Sequence, residues 1–376
     1  MKKKVFLRFY IFISLMIFIL PASELLLLEG VLNDGDLETY LICLFLVLVI
    51  SFLFLNKNIL KAKGIIMSND NIIKSSHLLI FSLISFLLFL SFVLGEFGNL
   101  IELLTFSEKY RNGFYKGSGK YTFLILNVVP ALLSLIMLKQ KKIDKIFYFS
   151  LSLVVISSFL VGLRIFLYSI VFLSIIRMFY QYKLNKIIIY FSFILIFLFS
   201  FKVYLNNEVA DKSLTEKVIM LLARTNYRTT LESNNFNSDV NALKGIILPI
   251  SLFTDISITD FKTSFVRNID NEKVRLGLPR LNSYAGVAIP IGVFFYNTSG
   301  GALGVIFLLP VLLLIFYFLY KAASCNEIFK SSVYLGFFIS LLGCLTEDIN
   351  FINKIFSLTI IYCFLYFLLR KKTINL

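Results

Sequence analysis

The sequence predicts an all-α polytopic membrane protein: about ten transmembrane helices, N- and C-termini cytoplasmic, and one large outer loop with short amphipathic helices. Three observations carry that prediction. Of 376 residues, 58% are apolar and only 16% charged, against roughly 45–50% and 25% in soluble domains. Apolar runs long enough to cross ~30 Å of hydrocarbon recur along the chain. Lys and Arg gather in the short segments between alternate runs. With 42 Phe and long Leu/Ile/Phe stretches, too little polar surface remains to cover a soluble globule. That composition excludes a soluble enzyme, a nucleic-acid-binding module, a disordered chain and a disulfide-rich secreted domain.

The spans fall at 5–22, 39–55, 77–95, 121–138, 146–163, 165–181, 187–203, 301–320, 332–346 and 352–370. The first follows an MKKK start but no small-residue cleavage site precedes Glu24, which reads as a retained helix. The run 146–181 is broken at Gly162-Leu163-Arg164. It reads as two helices, since one helix of that length would overshoot the bilayer. Residues 285–300 are apolar but hold Pro290 and several Gly, which suggests a re-entrant or interfacial segment. Three regions result: 1–203 with helices 1–7, an extracytoplasmic loop 204–300 that includes this segment, and 301–376 with helices 8–10.

Charge sets the orientation. With the N-terminus inside, the inner segments are the N-terminal tail, 56–76, 139–145, 182–186, 321–331 and the C-terminal tail. With residues at the inner helix ends they hold 17 Lys and 3 Arg against Asp70, Asp144 and Glu327. The rest of the chain holds 10 Lys and 7 Arg against 19 acids. The net charge of +15 is therefore a topology signal, and nucleic acid is not an expected partner. The four Cys show no CxxC spacing, and His77, the only His, reads as a solvated side chain at an inner helix end.

Inner loops are too short to form a site alone, so chemistry is expected outside, where 204–284 and 96–120 are the long segments. The inner Arg are Arg8, Arg177 and Arg370; the outer ones include Arg111, Arg164, Arg224, Arg228, Arg275 and Arg280. Lys suffices as an orienting point charge, whereas the planar fork of Arg grips phosphate at two points. These six are the candidate substrate-binding residues; the alternative is that they are solvated loop charges. Arg164 stands apart because it interrupts apolar sequence, where a charge is costly and marks function or a snorkelling hairpin cap.

Ser213-Leu-Thr-Glu216 fits a capping box, and Leu214, Val218 and Leu221 then share one helical face. Arg224 and Arg228, four apart, sit at its edge, as on a helix lying in the outer leaflet. Lys273, Arg275 and Arg280 cluster before the re-entrant segment, and Thr298-Ser-Gly-Gly301 permits a broken helix. Outer carboxylates are plentiful; Glu232, Asp260, Glu347 and Asp348 are candidates for a general base. The two long outer segments, 96–120 and 204–284, hold no DxD-type pair, so no metal-held nucleotide-sugar donor, and no cofactor, is expected.

The layout resembles the Wzy-type O-antigen and capsular repeat-unit polymerases. The resemblance rests on Glu108-Lys-Tyr-Arg111…Gly117-Ser-Gly119, the Gly162-Leu-Arg164 turn and the long loop after the seventh span. Pro279-Arg280-Leu-Asn-Ser…Gly292…Gly300-Gly301-Ala-Leu-Gly304 completes it. It is mostly one of arrangement, over about 100–320. Some members carry Arg followed eleven positions later by Gly in both main outer loops; Arg275 and Gly286 have that spacing, and 96–120 lacks it. The resemblance implies a metal-independent, inverting membrane glycosyltransferase. It would join undecaprenyl-pyrophosphate-linked oligosaccharide units at the outer face of the cell membrane, with a chain-length regulator as an expected partner. O-antigen ligases share the architecture but use a His in the large outer loop, which this chain lacks. A repeat-unit flippase is the transporter alternative, with more spans and shorter loops.

Overall fold

The structure, a computed structural model, describes residues 2–27, 35–55, 72–97, 125, 128–161, 177, 291–298 and 301–346. They build eight α-helices. These are α1 (Lys2–Leu27), α2 (Gly35–Phe54), α3 (Ser75–Phe97), α4 (Val129–Lys139), α5 (Lys145–Val161), α6 (Ile291–Thr298), α7 (Leu308–Ser324) and α8 (Ile328–Thr346). A 3-10 turn, Gly301–Phe307, leads into α7. Among the described residues two helical stretches, Leu303–Ser324 and Ile328–Leu345, are long and apolar enough to cross a membrane. The helices of α2, α3, α4 and α5 contribute shorter apolar stretches.

Local chemistry marks the starts of α4 and α5 and the ends of α4 and α7. Pro130 lies in the first turn of α4, where its missing N–H costs no helical hydrogen bond. Asp144 caps α5: its Oδ1 accepts from the Phe147 amide at 3.0 Å. α4 ends where Gln140 turns extended, its amide still donating to the Ile136 carbonyl at 2.9 Å. α7 ends in the same way at Cys325, whose amide donates to the Lys321 carbonyl at 3.0 Å.

All eleven residues of α4 are buried. A helix apolar all round belongs inside a bundle, and α4 is that inner helix, with α5 and α8 against it. Packing fixes the directions of the others. Phe6 meets Tyr320 and Phe9 meets Phe316, so α1 runs antiparallel to α7. The Tyr10 hydroxyl bonds the Leu48 carbonyl at 2.6 Å and Phe18 meets Phe45, so α2 is antiparallel to α1. Ser75 bonds Asp144, and Ser82 bonds Ser150 at 2.9 Å, so α3 and α5 run side by side in one direction. Phe318 stacks on Phe337 at 4.9 Å between centroids, closing the α7–α8 hairpin. Ser332, Gly336, Ser340 and Cys344 recur every fourth residue of α8 and are all buried; small side chains let helices approach closely where water does not drive their association.

The outward faces are apolar at helical spacing. On α2 they are Ile42, Phe45, Leu46, Val49, Ile50 and Leu53; on α3, Ile80, Ile84, Leu87 and Leu88. Leu87 is 61% exposed and Ile42 62%, levels that a water-facing surface would fill with polar side chains.

Candidate functional site

The expected substrate-binding residues Arg111, Arg164, Arg224, Arg228, Arg275 and Arg280 lie outside the described residues. So do the candidate bases Glu232, Asp260, Glu347 and Asp348. The structure does describe two places next to them in sequence: the α6 hairpin that follows the 204–284 segment, and the helix ends at the basic face.

α6 and the 3-10 turn fold back against each other as a short hairpin. Phe295 meets Phe307 at 5.8 Å between ring centroids, and Ile291, Val293, Phe295 and Tyr296 are buried. The helix breaks where Thr298-Ser-Gly-Gly301 allows it to, as the composition of that stretch suggests. Tyr40 of α2 holds the hairpin from the side, its ring set edge-on to Tyr296 at 5.7 Å. Gly292 lies close beneath two side chains there. A Cβ on it would lie 2.7 Å from the Tyr40 hydroxyl and 2.8 Å from Leu308 Cδ1. The chain arriving from the long loop is thus seated against two other helices before it enters α7.

At the other end of α7, two cations are buried against backbone. Lys139, the last residue of α4, donates through Nζ to the carbonyls of Cys325 at 2.7 Å and Ala323 at 3.1 Å. Arg177 donates through Nη1 to the carbonyls of Gln140 at 2.5 Å and Met137 at 3.2 Å, and through Nη2 to that of Lys141. Helix C-termini present unsatisfied carbonyls and a partial negative charge, which buried cations satisfy. Each cation therefore closes the end of a helix other than its own span. Lys139 belongs to the 139–145 segment, and burial pushes its ammonium down to about 8.

The same end carries further charged side chains. Lys74, Lys141, Lys142, Lys145 and Lys330 are exposed, as is His77. Lys330 pairs with Glu327 at 2.8 Å. Lys321 lies 5.4 Å from the centre of the Tyr317 ring. Residues that the sequence separates into 72–77, 139–145, 177 and 321–331 meet here.

Read from sequence, Lys139 and Arg177 count only as orienting charges. Arg177 carries a usable signal, since Ile-Ile-Arg-Met-Phe is apolar on both sides. Lys139 carries none, because a Lys after an apolar helix is ordinary. The contact of Tyr40 with Gly292 is equally hidden, since it joins distant segments, although Gly292 itself is among the residues on which the resemblance rests. Among the described residues no three His, Cys, Asp or Glu come together as metal ligands, and Cys43, Cys325 and Cys344 are free thiols. No family model, curated protein or solved structure matches the chain.

Proposed function

We propose that this chain is a ten-span, multi-pass protein of the cell membrane that polymerises undecaprenyl-pyrophosphate-linked repeat units at the outer face. One observation carries the topological half of the reading. The helix ends at 72–77, 139–145 and 321–331, and Arg177, assemble at one end of the bundle and hold the described Lys clusters. If that end is cytoplasmic, the 204–284 segment and its arginines fall on the opposite side. The chemical half rests on the residue types of that segment.

In this reading a hydroxyl oxygen of the acceptor unit attacks the anomeric carbon of the donor. The new C–O bond forms as the bond to the lipid diphosphate breaks, with inversion. The hydroxyl proton passes to a carboxylate drawn from Glu232, Asp260, Glu347 and Asp348. The electron pair leaves on the diphosphate, whose growing charge Arg164 and the loop arginines stabilise where water is scarce. Arg275 and Arg280 precede α6, which begins at Ile291, by sixteen and eleven positions.

Glycan ladders from a deletion strain carrying Arg164→Ala test this. Long chains are expected to disappear while single repeat units still reach the outside. Lys in place of Arg should not restore full length, because it keeps charge but loses the fork. Repeat units trapped inside would instead assign the chain to translocation. Normal polymer after joint removal of the six arginines overturns the proposal.

A further inference from the structure

The loop between α4 and α5 is built as a rigid display of lysines. Arg177 holds the Gln140 and Lys141 carbonyls, and Gln140 Nε2 donates to the Lys142 carbonyl at 2.7 Å. Asp144 is used twice, by the Phe147 amide and by the Ser75 hydroxyl. With backbone and acid so engaged, Lys141, Lys142 and Lys145 stand exposed. Lys74 stands beside them, since it and Lys145 each adjoin one member of the bonded Ser75–Asp144 pair. The two acids described at this end, Asp144 and Glu327, are both occupied. The buried cations Lys139 and Arg177 are spent on carbonyls.

Directly below these lysines the surface turns apolar. Lys145 heads a stripe on α5 that continues through Phe149 and Ile156, spaced by four and seven. Lys74 precedes α3, whose stripe runs through Ile80, Ile84 and Leu87. Four cations fixed at one level, with apolar helix faces beneath, match a molecule that has an anionic head and hydrocarbon tails.

We propose that Lys74, Lys141, Lys142 and Lys145 form a binding surface for the phosphate headgroup of an acidic phospholipid, its acyl chains lying on the exposed faces of α3 and α5. The proposal rests on the chain being embedded in a bilayer and not on polymerisation, and its readout is lipid preference rather than polymer length, so the two fail separately. Each Lys near an anionic surface contributes about 1 kcal/mol, so three of them correspond to a preference of roughly a hundredfold over a zwitterionic lipid.

Native mass spectrometry of the full-length protein in detergent, titrated with phosphatidylglycerol or phosphatidylcholine, measures this. Phosphatidylglycerol should bind roughly a hundredfold more tightly. K141Q/K142Q/K145Q should remove most of that preference, the matching triple Arg variant should keep it, and K330Q should leave it intact. Glycerol 3-phosphate at the same concentration should not compete. Equal binding of the two lipids by the unaltered protein overturns the proposal without any variant; so does a preference that survives the triple Gln change, or full competition by the free phosphate.

Discussion

Lys139 and Cys325 are 186 positions apart, and the Lys139 ammonium donates to the Cys325 carbonyl at 2.7 Å. That bond joins the tip of α4, the most buried of the described helices, to the end of α7. Arg177 binds the same turn from the other side. The α4 tip is therefore the point at which three chain segments are held together.

The Lys139 contact has a definite pH signature. Its pKa is lowered by burial from 10.5 to about 8. Between those values the unfolded chain holds a proton that the native chain has released, so native stability gains as pH rises across the window. Below about 8 both states carry the charge and the contribution is flat. Melting of the purified protein from pH 7 to 10.5, compared with Lys139→Met, checks this: the difference between the two curves should change only above about 8.

Arg177→Ala should destabilise the protein by about 3 kcal/mol, because three carbonyls lose a charged donor in a buried place. Arg177→Lys should recover less than half, since one ammonium cannot span the Met137, Gln140 and Lys141 carbonyls as the fork does. Denaturant titration in mild detergent gives both values. Wild-type stability in the Lys variant would show that charge alone suffices.

Gly292→Ala should cost about 1–3 kcal/mol by overpacking, as its Cβ meets the Tyr40 hydroxyl and Leu308 at under 3 Å. Pairing it with Tyr40→Phe removes the nearer of the two atoms. The double variant should then be more stable than the sum of the single effects predicts, which a double-mutant cycle of thermal unfolding measures.

The proposed orientation predicts a labelling pattern. In a background lacking Cys43, Cys325, Cys344 and Cys363, a Cys at Lys142 or Asn326 should react with an impermeant maleimide only after the cells are opened. A Cys at Ser238 should react on intact cells. Reaction of Ser238→Cys from the cytosolic side alone would invert the topology.

Several helices are legible in the amino-acid pattern. The expected spans 39–55 and 77–95 correspond to α2 and α3, and 301–320 and 332–346 overlap α7 (Leu308–Ser324) and α8 (Ile328–Thr346), because apolar run length signals a helix directly. The end of α6 at Thr298 is readable from the Ser and Gly that follow it. Of the expected span 121–138, α4 covers Val129 onward, Ile125 and Val128 ahead of it are helical as well, and the rest of 121–127 lies outside the described residues. The expected arginine site lies outside the described residues, and the contacts that the structure does define, Lys139 with α7 and Gly292 with Tyr40, have no sequence signature.

Composition and the spacing of apolar and basic residues determined by themselves that this chain forms apolar helices with cationic ends, because each helix satisfies its own backbone locally. Tertiary structure decided which of the described helices is innermost, which cation closes which helix end, and which side chains close over Gly292. Those outcomes depend on surfaces brought together from positions far apart in the chain, and the free energy of such a contact belongs to both partners and to neither sequence segment alone.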